Sequence, residues 1–409
     1  MIQMLFHTVT DFFFRSKRPH QGLTKFMNES RQRPDDISLI GKFKVLLINS
    51  YDLEKVLEMS KSGKFPDHHL FGARQLTEQH NIQVTIPPHI KYPLLNKIGN
   101  IFDIEFLDQQ FRFLITLDQC NIIYAPFAAA NTKLIVLLKA LGLIRMPVVI
   151  LVHQPLFGQP SPNRFWRWLV RRLIMSYETI LFFSQVLRDE LIQAYEIDQA
   201  TVKRRFHVAH LGADVDFFKK FIIPNNQGEG NYLISSGNTG RDFDILVKVA
   251  QRVAFPIKIY CKPESFPRAT VIPKNVEILS GEFPFEQICK DIANARIVLI
   301  PLAADPKATT GLISLLETMA LGKPVIMTKN KYIDIDFEKE NIGLTVNEND
   351  IDGWVQTITL LLGDHQRLKK MGENGLRFAT EKLNINLFAK DLAKAMEDTH
   401  QRFLDKNSK

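Results

Sequence analysis

Apolar runs and amphipathic stretches alternate along most of the chain. Short, nearly continuous apolar runs at Lys44 to Asn49, Gln83 to Ile86, Ile122 to Tyr124, Val148 to Val152 and Ile180 to Phe183 predict buried strands. Helical spacing of the apolar positions lies between them, as in Leu134 to Leu141 and Leu187 to Tyr195. A second alternation begins at Tyr232 to Ser235 and continues through Ile257 to Tyr260, Val276 to Leu279, Ile297 to Ile300 and Val325 to Met327. Strands alternating with helices predict parallel sheets covered on both faces. Between the two series, Gly212 to Gly230 carries Asp214, Asp216, Pro224, Asn225 and Asn226 and reads as a linker. The expected architecture is α/β, with two Rossmann-like domains in series and a cleft between them. Residues 1–40 form an extension and connector, 41–215 the first domain and 216–384 the second. Residues 385–409 carry the last amphipathic helical pattern, which runs from Leu383 to Phe403. Open parallel sheets bind ligands at the carboxyl ends of their strands, so facing domains share one site.

At the N-terminus, Ile2, Leu5, Phe6, Val9, Phe12 and Phe13 share one helical face. This fits a helix docked on the domain, with a membrane-surface helix carrying a basic flank at Arg15, Lys17 and Arg18 as the alternative. It lacks the leading basic region and small-residue cleavage site of a signal peptide. No run reaches the roughly 20 apolar residues of a membrane span, because Lys139, Arg145 and Pro147 interrupt the greasiest segment, Leu134 to Val152. The 409 residues suit two or three domains, and a charged fraction of 23% argues against wholesale disorder. The net charge of +8 points to anionic partners without choosing among phosphorylated small molecules, anionic lipid and nucleic acid. Cys120, Cys261 and Cys289 are far apart and lack metal-ligand spacing, so reduced thiols and a cytoplasmic setting are expected.

One stretch carries candidate chemistry: ATTGLISLLETMALGKPVIM, from Ala308 to Met327. Leu312, Leu315, Leu316, Met319 and Ala320 keep helical spacing. Thr309 or Thr310 can cap the start, Gly322 suits a left-handed C-terminal position, and Pro324 follows. Gly311 removes a side chain where a ligand can approach, and the helix start favours a phosphate through its free N–H groups and dipole. Glu317 lies off the apolar face, roughly 9 Å along the axis from Gly311 at 1.5 Å per residue. That separation suits a carboxylate on ribose hydroxyls with a pyrophosphate at the helix start. An ordinary capped helix with a solvated glutamate gives the same pattern.

The stretch resembles the donor-site signature of retaining glycosyltransferases of family 4, within the glycosyl transferases group 1, which have the GT-B fold. The family pattern is Glu, seven residues, Glu, then a small-residue helix end with Gly-Lys-Pro-Val. The resemblance implies that Glu317 binds the donor ribose, while Thr310, Gly311 and Leu312 face the pyrophosphate. The first Glu of the pattern falls on Thr309, a departure at the position that contacts the transferred sugar. Other segments resemble the family in the same order. SSGNTGRDFDIL places Gly237, Gly240 and Arg241 where a phosphate-binding arginine sits, with the usual nearby lysine absent. VVILVHQP places His153 at a strand end, where the family often has a donor-facing histidine. FPDHHLFGARQL puts His68 and His69 beside the acceptor, and HLGADVDFF matches a hinge through Gly212, Asp214 and Phe218. The final helix is implied to cross back onto the first domain.

The reading that follows is a glycosyltransferase moving a sugar, with retention, from a UDP-sugar or GDP-sugar to an unidentified acceptor. His153 and Arg241 are the candidate catalytic residues. Gly237, Arg241, Thr309, Thr310, Gly311, Leu312 and Glu317 are the candidate nucleotide-sugar ligands. No cofactor and no metal are expected. No Asp-x-Asp stands in a plausible place, and the His68–His69 pair has no third ligand at suitable spacing. An anionic membrane surface is a candidate partner, since NRFWRWLVRRLIMSYE puts Trp166, Leu169, Val170 and Leu173 on one helical face and Arg164, Arg167, Arg171 and Trp168 on another. A solvated basic helix gives the same pattern. Nucleic acid is not expected, because no recognition motif accompanies the charge. A degenerate, non-catalytic binding subunit and a sugar-nucleotide epimerase of the same fold remain as alternatives.

Overall fold

The structure is a computed structural model that describes residues 42–126, 131–157, 161–223, 230–306 and 308–408. The amphipathic extension, its connector and the Pro224–Asn226 part of the expected linker lie outside them.

The described chain folds into two six-stranded, wholly parallel sheets. The first contains β1 (Lys44–Leu47), β2 (Gln83–Thr85), β3 (Ile122–Ala125), β4 (Val148–Val152), β5 (Thr179–Phe182) and β6 (Phe206–Val208), in the order β2-β1-β3-β4-β5-β6. The second contains β7 (Leu233–Ser236), β8 (Ile257–Cys261), β9 (Val276–Ser280), β10 (Ile297–Ile300), β11 (Val325–Thr328) and β12 (Gly343–Val346), in the order β12-β11-β10-β7-β8-β9. Both orders are doubly wound. The order in which strands are added reverses between β1 and β3 in one sheet and between β7 and β10 in the other, and ligands bind at such switch points. Two Rossmann-like sheets with flanking helices make a GT-B arrangement, the fold class expected from the sequence.

Alternate strand residues face opposite sides, which divides the core into three clusters. Val45 and Leu47 of β1 and Val149 and Leu151 of β4 join a cluster that also holds Val298 and Ile300 of β10. Leu46, Val148 and Ile150 face the other side of the first sheet, while Ile297 and Leu299 face the other side of the second. The shared cluster also takes in Phe388, Leu392 and Met396 of the final helix, Ile385–Asn407. That helix lies on the first half of the chain. Phe388 meets Phe183 edge-on at 6.1 Å, and Thr399 hydrogen-bonds Thr179 at 2.6 Å.

Two strands escaped the sequence pattern. β6 and β12 are the outer strands at one edge of each sheet, and they mix buried with half-exposed or exposed positions instead of forming an apolar run. The expected linker also differs. Residues 212–221 are packed, with a short helix at Val215–Phe218 and with Ala213 and Phe218 fully buried. Phenylalanines supply the reason, since Phe217, Phe218 and Phe221 pack on one another and reach Phe285 of the second half. Gly212 is required here, because an added Cβ would lie 2.2 Å from the Asn384 carbonyl carbon.

Candidate functional site

The loops after β7 and β10 flank the switch point of the second sheet. The chain leaves β7 through Gly237 (φ 131°) and Gly240 (φ 61°) and delivers Arg241. The guanidinium lies directly over Gly237, where an added Cβ would come within 2.6 Å of Arg241 Nη2. Arg241 Nη2 donates to Ser314 Oγ at 2.7 Å, and Nη1 donates to the Thr239 carbonyl at 3.1 Å. These are neutral acceptors. Burial pulls the guanidinium down to about 10, with Glu317 acting in the opposite direction, so it remains charged at neutral pH. A charged, desolvated arginine held only by neutral oxygens is primed to take an anion. A cleft of about 320 Å³ opens beside it, with Asn238, Gly240 and Arg268 among its walls.

The helix Leu312–Ala320 starts at the same place. Its N-cap is Gly311 (φ 89°), without a side-chain cap bond, so neither Thr309 nor Thr310 caps it. Glycine serves the core here as well as any ligand approach, since a Cβ at Gly311 would lie 2.5 Å from Met327 Cε. Thr310 packs against Gly240, where an added Cβ would lie 2.8 Å from its Cγ2. At the other end Gly322 (φ 66°) takes the left-handed position foreseen for it. Thr309 is buried, and it links the two halves of the chain. Its N–H donates to the His153 carbonyl at 2.9 Å, and its Oγ1 donates to the same oxygen at 3.3 Å. His153 thus sits at the end of β4, facing the second half, and burial lowers its imidazole from 6.5 to about 4.

Glu317 departs most from the solvated residue that helical periodicity suggests. Only 7% of it is exposed. His69 Nε2 approaches its Oε1 at 3.3 Å and His68 Nε2 at 3.5 Å, both from the first half of the chain. Burial alone would raise the carboxyl, but the two histidines outweigh it and hold Glu317 at about 2. His69 is lowered, first by burial and then by His68. At neutral pH the cluster is therefore a carboxylate in hydrogen-bond contact with the His69 ring, with His68 Nε2 close by but without a hydrogen bond of its own. A helical turn, Asp67–Leu70, followed by left-handed Phe71 and Gly72, aims both rings. Asp214 fixes that turn. Its Oδ2 accepts the Asp67 N–H at 2.8 Å, its Oδ1 caps the Val215–Phe218 helix, and its N–H donates to His68 Nδ1 at 3.3 Å.

Folding thus supplies the third group that the histidine pair lacked in sequence, and the ligand atoms of His68, His69 and Glu317 all lie within 4.8 Å of one another. The set fits a hydrogen-bonded carboxylate better than a metal ion. His68 Nδ1 accepts from the Asp214 amide, so Nε2 carries the proton, and a protonated nitrogen cannot ligate. Two contributors went unforeseen. Ser314 shows only a serine on a helix, and nothing in sequence ties it to Arg241. Asp214 was legible as a hinge residue but not as the partner of His68.

Second-half residues supply much of this geometry, and part of that half is similar to a known family. Residues 275–378 match the glycosyl transferases group 1 family. The match includes Thr309, Thr310, Gly311, Leu312 and Glu317. No curated protein gives a significant match. Among solved structures, the chain resembles a glycosyltransferase from Rickettsia africae, at 15% identity and a TM-score of 0.58, over 87% of this chain and 98% of that one. It resembles HepE from Anabaena, solved with UDP and glucose, at 15% identity and a TM-score of 0.57, over 87% and 99%. It resembles sucrose-phosphate synthase from Thermosynechococcus elongatus at 12% identity and a TM-score of 0.58, over 87% and 98%. At such identities the likeness establishes the fold alone.

Proposed function

We propose that the protein is a glycosyltransferase that takes a sugar from a nucleoside-diphosphate donor and passes it, with retention, to an acceptor held by the first half of the chain. The observation that carries this reading is Arg241, a half-buried cation seated on Gly237 and tied to Ser314 beside the uncapped start of the Leu312–Ala320 helix. The diphosphate lies between that guanidinium and the helix start, near Thr310, Gly311 and Leu312. Glu317, kept ionised, receives the ribose hydroxyls. As the sugar leaves, negative charge grows on the diphosphate, and a preorganised arginine and helix dipole stabilise it without a metal ion. His153, neutral at physiological pH, faces the sugar as a hydrogen-bonding group. His68 and His69 stand at the acceptor side. A cytoplasmic setting is supported by three cysteines that form no disulfide.

Calorimetry with UDP and GDP tests the assignment. Arg241→Ala is expected to weaken diphosphate binding by roughly tenfold or more, the size of a lost charge-assisted bond, and to leave nucleoside binding nearly intact. An equal loss for both ligands contradicts the phosphate role. Glu317→Ala is expected to weaken nucleoside and nucleotide alike, and unchanged UDP and GDP affinity removes Glu317 from the site.

A second reading, a non-catalytic subunit that binds a donor or partner, has Thr309 in its favour. Where the family pattern carries a carboxylate, this chain spends a threonine on the His153 carbonyl. Incubation with nucleotide sugars separates the readings: nucleotide released with a glycosylated product supports transfer, an isomerised donor supports epimerisation, and an unchanged donor supports the subunit.

A further inference from the structure

We infer that the exposed face of the Arg164–Ile174 helix docks on an anionic lipid surface, which makes the acceptor of the proposed transfer lipid-linked. The inference rests on the transferase reading for its second clause only.

Phe165, Trp166 and Trp168 are 58%, 42% and 59% exposed, although large aromatic side chains are normally buried. They are not scattered, since the Phe165 ring lies 5.6 Å from Trp166 and 6.1 Å from Trp168. Ile174 alone in this helix is fully buried. The helix contains no acidic residue, and Arg164, Arg171 and Arg172 are exposed around the aromatic cluster. Two carboxylates approach it from the neighbouring segment. Glu196 lies 3.8 Å from Arg167, and the Asp198 carboxyl is held low first by its bonds from Thr201 and also by Arg171. The surface extends sideways. Arg172 donates to the Ala140 carbonyl, which brings the turn holding exposed Leu141, Leu143 and Arg145 alongside.

Exposed tryptophan among arginines suits a bilayer interface, where the rings sit at headgroup depth and the guanidinium groups meet phosphates. A neutral protein partner would leave the arginines unmatched. Position adds a second argument. The helix follows β4, so its first turn, with the aromatic cluster, lies at the carboxyl edge of the first sheet, as His153 does. A surface gripped there lies beside the cleft. Among the described residues no helix is long and apolar enough to cross a membrane, so attachment by this face is peripheral.

The tryptophans make the test direct. The chain has three, and Trp354 is fully buried, so a change in emission on membrane contact reports Trp166 and Trp168. The full chain is mixed with vesicles of phosphatidylcholine alone or with added phosphatidylglycerol, and flotation and fluorescence are followed. Flotation and a blue shift with the anionic vesicles only are expected. Arg164→Glu with Arg171→Glu should lower the partition coefficient by roughly tenfold or more, at about 1 kcal/mol per basic residue near such a surface. Trp166→Ala with Trp168→Ala should weaken binding while leaving UDP affinity unchanged. No flotation, equal binding to both vesicle types, or self-association that the same variants abolish overturns the proposal. Loss of UDP binding in the unmodified chain would instead defeat the transferase reading and leave the lipid surface standing.

Discussion

Residue-scale chemistry centres on Arg241, Glu317 and His153. Gly237→Ala tests the seat of Arg241, since a Cβ there must displace the guanidinium. The expected outcome is diphosphate affinity reduced by a few-fold to tenfold with a near-normal fold, read by calorimetry and circular dichroism. His153 predicts a pH dependence. The unfolded chain takes up a proton at an ordinary 6.5, while the folded chain does so only near 4. Stability is therefore full above pH 6.5 and declines as pH falls from 6.5 towards 4, by up to ~3 kcal/mol at 1.36 kcal/mol per unit. Urea unfolding across that range should show a shallower decline in His153→Gln. Glu317 acts in the same direction in a lower window. Its carboxyl falls from an ordinary 4.5 to about 2, so its contribution is present above 4.5 and lost as pH falls through 2. The sequence marked all three positions, through a loop arginine, a strand-end histidine and a glutamate on a capped helix. Their partners were hidden, because Ser314, His69 and Thr309 come from segments that only folding brings close.

At the scale of elements, the central strands were legible, and of the four edge strands β6 and β12 were not. Val148–Val152 and Ile297–Ile300 emerged with their boundaries intact because both faces of a central parallel strand are buried and apolar. Phe206–Val208 and Gly343–Val346 have one neighbour each, and polar residues are tolerated there. The Leu312–Ala320 helix was legible at its C-terminal end, through Gly322. At its N-terminal end Gly311, not threonine, holds the cap position, since its backbone is left-handed and Met327 and Ile300 leave little room for a Cβ. Gly311→Ala should therefore destabilise by about 1–3 kcal/mol, from strain and overpacking together, measured by denaturant midpoint. An unchanged midpoint would show that the backbone conformation is not needed.

For the whole molecule, the decisive feature is the shared core cluster. The final helix contributes Phe388, Leu392, Ala393 and Met396 to it, each at most 2% exposed. Burying three large apolar side chains of this kind contributes about 6 kcal/mol, comparable to the 5–15 kcal/mol stability of a typical domain. Ending the chain before Ile385 should therefore leave the first half loosely packed, with dye binding and lost cooperativity. Phe388→Ala should cost about 3–5 kcal/mol. Normal cooperative unfolding of the truncated chain would show that the helix is accessory.

The sequence by itself determined the alternation of strands and helices, the two-sheet α/β class, and the positions of the glycines, arginine, histidines and glutamate that carry the chemistry. Local spacing encodes these, because burial on both faces of a strand and on one face of a helix constrains residues a few places apart. Tertiary structure alone decided what those residues touch. Glu317 is buried against His68 and His69, Thr309 spends its hydrogen bonds on His153, and Asp214 sets which nitrogen of His68 carries a proton. Each of these contacts joins residues far apart in the chain, and no periodicity records such a pairing.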